Sequence, residues 1–218
     1  MNNFYVTINL LLLLSFTNFN AQKLAVLKYG GGGDWYSNPT ALNNLISFCN
    51  STINTKIDKN YAIIEADDLN LNEYPYVHIT GHGNIVFSET EVINIRRYLL
   101  SGGFIHVDDN YGLKPYIERE LTKIFPQKIL IELPNNHPIY NNEFSFPDGL
   151  PKIHEHDNKK PTAKGLFEND RLILLFTYET DLGDGWEDAD VHGDSEELHQ
   201  KALKMGANIL GYALTGGY

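Results

Sequence analysis

The sequence has 218 residues, of which 42% are hydrophobic and 21% are charged, a balance typical of a folded globular protein. It carries 17 Lys and Arg against 28 Asp and Glu, a formal net charge of −11, which argues against nucleic-acid binding and against attraction to anionic lipid. A single cysteine excludes an internal disulfide and any cysteine-rich metal site.

The first 21 residues have the layout of a secretory signal peptide. An apolar stretch over residues 6–19 contains five consecutive leucines, residues 10–14, and Ala21 follows after a polar break. The stretch is too short to span a bilayer, and a small residue stands at the cleavage point. We therefore predict cleavage after Ala21, an exported mature chain in the periplasm or the medium, and no stable membrane span after cleavage. A retained N-terminal helix, either buried or anchored in the membrane, is the alternative.

Short apolar runs then alternate with segments of helical periodicity. Two helix starts carry capping signals: Asn38 as the N-cap before a proline, and a capping box formed by Ser88 and Glu91. Prolines divide residues 134–165 into loops or short edge strands, and a long helix closes the chain. The predicted strands cover residues 24–27, 76–80, 104–107, 129–131 and 171–176.

This alternation predicts an α/β fold. Because crossovers of helix length join parallel strands, the expected architecture is three-layered and flavodoxin-like, with a mostly parallel sheet and helices on both faces. No repeat or linker divides the chain, so one domain is expected over residues 22–218. Cys49 falls on the apolar face of the first helix, which predicts a core role rather than a nucleophile.

Ligands bind such sheets at the carboxyl ends of the strands, where this sequence concentrates polar residues. The first strand leads into four glycines, residues 30–33, followed by Asp34, Trp35 and Tyr36. Glycines such as Gly32 allow a ligand to approach the backbone closely and can present N–H groups to an anion, but a tight turn explains them equally well. The two aromatic rings could stack on a sugar.

Two further strand ends carry histidine and carboxylate side chains. His82 lies between two glycines, where it can act as an acid, a base or a metal ligand. Asp108 and Asp109 point to opposite faces of an extended strand, so only one carboxylate need enter the crevice. Paired carboxylates suit metal coordination or acid–base catalysis, with capping of the next helix as the alternative. The glycines and the amide at these ends are Gly81, Gly83 and Asn110.

A loop segment adds His154 and His156, which share one face if the chain is extended and so have a spacing typical of metal ligands. A third ligand would come from His82 or from one of the strand-end aspartates. Further on, nine acidic residues fall between Glu179 and Glu197, which predicts a solvated loop. Trp186 within it indicates that the loop folds back onto the body.

Five segments together resemble an uncharacterised bacterial family, domain of unknown function 4159, which is common among exported proteins. These segments are YGGGGDWYSNP (29–39), TGHGN (80–84), GGFIHVDDNYG (102–112), LPKIHEHD (150–157) and TYETDLGDGWED (177–188). The family is similar in fold to the class I glutamine amidotransferases, so the resemblance implies that fold but no reaction. The elbow that holds the nucleophilic cysteine in those enzymes corresponds here to residues 108–110, which lack cysteine, and glutaminase chemistry is not expected.

Two functions remain open from the sequence. The first is a module that binds a small molecule, sugar or peptide in the cell envelope, with no nucleic-acid partner. Its ligand-binding residues would be Gly32, Asp34, Trp35, Tyr36, Gly81, Gly83, Asn110 and Trp186. The second is a metal-assisted hydrolase in which His154 and His156 hold a divalent metal. Its catalytic residues would be His82, Asp108, Asp109 and Glu155.

Overall fold

The computed structural model describes residues 21–216, so the predicted signal peptide lies outside the described residues apart from Ala21. The described part of the chain forms strands and α-helices in the order β1 (Leu24–Lys28), α1 (Ala41–Thr52), β2 (Ala62–Glu65), β3 (Tyr76–Ile79), α2 (Glu89–Leu100), β4 (Phe104–Asp108), α3 (Lys114–Ile124), β5 (Ile131–Glu132), β6 (Thr162–Glu168), β7 (Arg171–Tyr178), α4 (Leu182–Trp186), α5 (Ala189–His192) and α6 (Glu196–Thr215). No helix between residues 21 and 216 is both long and apolar enough to cross a membrane.

The strands form one seven-stranded sheet in the order β2-β1-β3-β4-β7-β6-β5. The first five strands in this order, β2, β1, β3, β4 and β7, pair in parallel. β6 is antiparallel to both of its neighbours, β7 and β5. The predicted α/β class is confirmed, but the sheet is mixed rather than mostly parallel. The difference arises at Asn169 and Asp170, which adopt positive φ angles of 48° and 65° and join β6 to β7 as a tight hairpin.

Apolar side chains pack in two clusters, which follow the alternation of the strands. In β1, Leu24 and Val26 belong to one cluster, and Ala25 and Leu27 belong to the other. Successive strand residues point to opposite faces of a sheet, so the two clusters lie on opposite faces. Residues of α1 and α6 join the first cluster, and residues of α2 and α3 join the second. Cys49 is fully buried in the first cluster, which confirms its predicted core position.

The start of α1 differs from the prediction. The helix begins at Ala41, and Thr40 occupies the N-cap position without a side-chain capping hydrogen bond. Asn38 is therefore not the N-cap. Its buried side chain instead donates a hydrogen bond to Asp184, 146 residues further along the chain.

The predicted capping box of α2 is confirmed. Ser88 Oγ accepts a hydrogen bond from Glu91 N–H at 3.3 Å, and Glu91 Oε2 accepts one from Ser88 N–H at 2.7 Å. We expect Ser88→Ala to lower the free energy of unfolding by about 1 kcal/mol, because helix-end N–H groups lose an acceptor. Urea denaturation measures the change. Ser47→Ala, an exposed position inside α1, is the matched control, and an equal loss in both variants would contradict the capping role.

Candidate functional site

The carboxyl ends of β1, β3, β4 and β7 meet at one edge of the sheet, because these strands are parallel neighbours. The sequence predicts that His82, His154 and His156 share one site at this edge. The structure places them in two groups of contacts. His82 pairs with Asp34, whereas His154 and His156 both contact Asp181, which follows β7.

Asp34 and His82 tie the glycine-rich loop to the end of β3. His82 Nδ1 lies 3.0 Å from Asp34 Oδ2, and Asp34 Oδ1 accepts a hydrogen bond from the His82 backbone N–H. Gly81 permits this approach: its φ is +128°, and a Cβ there would lie 2.8 Å from the Asp34 carbonyl oxygen. Because both side chains are partly exposed, the pair is accessible to solvent.

The glycine-rich loop packs against residues 82–86. Gly33 N–H donates to the carbonyl oxygen of Asn84 at 2.9 Å, and a Cβ on Gly33 would lie 2.7 Å from that oxygen. Gly32 and Gly83, by contrast, have no neighbour within 4 Å of the place where a Cβ would stand. These contacts favour a tight, packed turn over a loop whose N–H groups bind an anion. Gly32 lies on the side of the turn that does not pack against residues 82–86.

Three side chains of the types that can bind a metal ion come together after β7: His154, Asp184 and His192, called here the metal-ligand cluster. One potential donor atom from each lies within 4.8 Å of the others. Asp184 Oδ2 is 3.5 Å from His154 Nδ1 and 3.8 Å from His192 Nδ1. Asp184 Oδ1 accepts hydrogen bonds from the amides of Asn38 at 2.6 Å and Asn110 at 2.9 Å. The two amides orient the carboxylate, so its free oxygen faces both imidazoles.

Each imidazole of the metal-ligand cluster has a carboxylate on its other nitrogen. His154 Nε2 lies 3.0 Å from Asp194 Oδ1, and His192 Nε2 lies 2.9 Å from Glu187 Oε2. If a metal ion displaces the second proton of each imidazole, the carboxylate at Nε2 keeps the remaining proton there and leaves the lone pair on Nδ1. Both Nδ1 atoms face Asp184 Oδ2. Metal-bound histidines in proteins are held in this way.

Asp181 borders the metal-ligand cluster. It is fully buried, in the left-handed region at φ 58°, and its Oδ2 contacts His156 Nε2 and lies 3.5 Å from His154 Nδ1. Its Oδ1 has no hydrogen-bond partner among the described residues, an arrangement that is costly for a buried carboxylate unless a cation balances it. His154 makes hydrogen bonds to Asp181 and to Asp184, and these two bonds, the one to Asp181 foremost, raise the pKa of His154 to about 10.

The other members of the predicted loop motif lie outside the metal-ligand cluster. His156 shares Asp181 with His154, as expected of side chains on one face, but its ring also lies 4.7 Å from that of Tyr111, tilted by 31°. The Glu155 side chain is 66% exposed and lies 3.4 Å from Lys152 Nζ. Glu155 therefore faces solvent rather than the cluster.

The polar side chains at the end of β4 and just after it point in different directions. Asp108 is fully buried and accepts hydrogen bonds from the Thr177 hydroxyl and, at 2.6 Å, from Gly183 N–H. Burial raises its pKa to about 8. Asp109 accepts hydrogen bonds from two backbone N–H groups at the start of α3, at 2.8 and 3.0 Å. Asp109 therefore caps α3, as the alternative interpretation predicted. Only Asn110 reaches the metal-ligand cluster directly, through its bond to the central carboxylate.

The three predicted aromatic ligand-binding residues occupy different environments. Trp186 is fully buried, its Nε1 donates to the Ala202 carbonyl oxygen at 2.9 Å, and its ring lies 5.3 Å from that of His78. Because α4 turns this ring into the core, Trp186 offers no surface to a ligand. Trp35 and Tyr36 meet edge to face at 5.4 Å beside the crevice, with Tyr36 exposed.

The sequence pattern does not identify Asp184, His192 and Asn38 as site residues. The first two lie in the acidic tract, which predicted a solvated loop, whereas the structure folds it into α4 and α5. A histidine within a segment so rich in acids was the available signal for His192. Asn38 was assigned to helix capping, and only the later start of α1 reveals its role.

Residues 23–214 match the profile of a protein family described as a domain of unknown function, DUF4159. The chain belongs to this family. The family resemblance inferred from the five sequence segments is thereby confirmed. A comparison with curated proteins gave no match. Because the family's description carries no activity, the function has to be argued from the site.

Proposed function

We propose that this protein binds a divalent transition-metal ion, such as Zn²⁺, in the metal-ligand cluster. One observation carries the proposal: the Nδ1 atoms of His154 and His192 face the same Asp184 oxygen, while a separate carboxylate holds each Nε2. Zn²⁺ takes histidine nitrogen and carboxylate oxygen at about 2.0–2.2 Å, which places tetrahedral donors about 3.3–3.5 Å apart. The separations of 3.5 and 3.8 Å are close to this spacing.

A cluster of three protein ligands leaves a coordination position for water or for a ligand, as in catalytic rather than structural zinc sites. We therefore propose metal-dependent capture of a small-molecule, sugar or peptide ligand at the strand-end edge. Metal-assisted hydrolysis is the second candidate. Asp181 supports this second candidate. Its buried Oδ1 has no hydrogen-bond partner among residues 21–216, so this carboxylate oxygen is available to act as a general base toward a metal-bound water.

We also propose export and an amidotransferase-like, three-layer arrangement. The apolar stretch of residues 6–19 supports export. Helices on opposite faces of the sheet, and an elbow at residues 108–110 after a central strand, support the fold relationship. The chemistry differs, because Cys49 lies buried on α1 and burial raises the pKa of its thiol to about 12. The elbow itself carries aspartates and an amide.

Zn²⁺ titration by calorimetry at pH 7.5 tests the metal site. We expect one ion to bind per chain, and His192→Ala to raise the dissociation constant by about 100-fold or more, because a direct ligand is lost. Glu187→Gln should raise it by roughly 10- to 100-fold, because it loosens the hold on His192 without removing a ligand. Circular dichroism checks that each variant is folded.

His82→Ala is the matched control, because this histidine pairs with Asp34 and not with Asp184. It should bind Zn²⁺ like the wild type. His156→Ala should weaken binding less than His192→Ala, since His156 contacts Asp181 at the border of the cluster and is not one of its three ligands. If the wild type binds no Zn²⁺, or if His192→Ala binds it normally, the residues form an ion-pair network of protonated histidines and the proposal is wrong.

A further inference from the structure

A small cavity of about 140 Å³ lies on the α1 side of β1 and β3, next to the metal-ligand cluster. Its walls include Trp35, Asn38, Leu42, Tyr61, His78 and Thr80. An apolar cavity of about 150 Å³ is large enough to take up benzene. The volume therefore suits a six-membered ring with one small substituent.

His78 is an unusual wall residue. Its side chain is only 1% exposed, and neither ring nitrogen has a hydrogen-bond partner among the described residues. The backbone of His106 lies close by without hydrogen-bond geometry, and it can serve at most one of the two nitrogens. Burial lowers the pKa of His78 to about 3, so the ring is neutral and offers one donor and one acceptor. A buried polar group left in this state is costly unless something pairs with it.

The remaining walls define the chemistry of an occupant. Most are apolar or aromatic, and the described residues that line the cavity include no charged side chain. Two of the other polar wall groups have partners within the protein: the Tyr61 hydroxyl donates to the Pro39 carbonyl oxygen at 3.1 Å, and the Thr80 hydroxyl donates to Asn38 Oδ1 at 2.7 Å. A charged ligand would lose its hydration without gaining a counter-charge. The walls therefore favour an uncharged molecule with a single polar group.

We propose that this cavity binds a small uncharged ring compound whose one hydroxyl group hydrogen-bonds to His78. Asn38 lines the cavity and donates to Asp184 at 2.6 Å, so an occupant lies beside the metal-ligand cluster. The proposal does not depend on the metal. It concerns a second binding site, and its test is carried out with and without EDTA to keep the two questions separate.

Phenol and benzene are suitable probes because they have the same ring and differ by one hydroxyl group. Benzene leaves water more readily, so nonspecific apolar binding would favour it. We expect phenol to bind the wild-type protein about tenfold more tightly than benzene, since one hydrogen bond to a buried polar group is gained. Ligand-observed NMR titrations give both dissociation constants.

His78→Leu keeps a side chain of similar size and removes both ring nitrogens. It should abolish the preference for phenol while retaining benzene. Trp35→Ala opens the wall at a half-buried position and should weaken both probes about tenfold or more, with circular dichroism checking that the variant is folded. If neither probe binds the wild type, the cavity holds water only and the proposal is wrong. It is equally wrong if phenol and benzene bind alike, or if His78→Leu retains the preference.

Discussion

Replacing Leu45 by Ala is expected to lower the free energy of unfolding by about 2–5 kcal/mol. Leu45 is fully buried in α1, where it belongs to the cluster shared with α6. The packing is close: a Cβ added to Gly206 of α6 would lie 2.6 Å from Leu45 Cδ1. Because α1 and α6 are closely packed at this point, the surrounding residues cannot easily move into the cavity that the shortened side chain leaves.

Urea denaturation, with the slope of the transition checked for constancy, measures the loss. Leu69→Ala is the matched control, because it makes the same chemical change at a side chain that is 94% exposed. We expect the control to change the free energy of unfolding by no more than about 0.5 kcal/mol. Similar losses at the two positions would contradict the assignment of α1 to the core.

Local sequence signals, such as apolar runs and helix caps, explain which parts of the fold were predictable. Strands β1, β3, β4 and β7 carry buried apolar runs that are visible in the sequence. The capping box of α2 depends on only two side chains, three residues apart, so it too could be predicted without tertiary information. β2 has four residues, of which only Ile64 is buried, so it lacks an apolar run. β6 follows a proline-rich stretch, and its hairpin depends on the positive φ angles of Asn169 and Asp170. Missing that turn concealed the antiparallel edge of the sheet.

The site was predictable only where strand ends determine it. Position at a strand end indicated Asp108 as a crevice residue, and the opposed directions of Asp108 and Asp109 predicted that the two would separate. His154 was indicated instead by its spacing from His156 in the loop segment. Asp184 and His192 could not be found in this way, because α4 and α5 have five and four residues and show no periodicity. Their contacts arise only when the acidic tract folds over the sheet edge. The pairing of Asn38 with Asp184, 146 residues further along the chain, likewise leaves no local pattern in the sequence.

Asp108→Asn is expected to flatten the pH dependence of stability between pH 5 and pH 7. The buried carboxyl group has its pKa raised from 3.8 to about 8 in the folded protein, chiefly by desolvation, with the Asp181 and Asp184 carboxylates adding to the shift. Thr177 and Gly183 donate hydrogen bonds to it and offset part of the rise. The unfolded chain, by contrast, releases this proton near pH 4.

The sign follows from these two values. Below about pH 4 the carboxyl group is protonated in both states, and its contribution to stability is fully present. As the pH rises toward 8, the unfolded state loses the proton that the folded state retains, so unfolding becomes easier by about 1.4 kcal/mol per pH unit. An amide at this position accepts from Gly183 N–H in the same way but has no proton to lose. The variant therefore lacks this slope.

Urea denaturation of both proteins at pH 5, 6 and 7, with EDTA present, measures the difference. The wild type should lose roughly 2–3 kcal/mol relative to Asp108→Asn over this range. His154, whose pKa is raised to about 10, contributes stability that is present below pH 6.5 and lost as the pH rises through 10, but it is present in both proteins and cancels in the comparison. Parallel pH profiles would show that Asp108 is ionised in the folded protein. The strand-end edge would then carry one more negative charge, and a bound cation would be the natural partner for it.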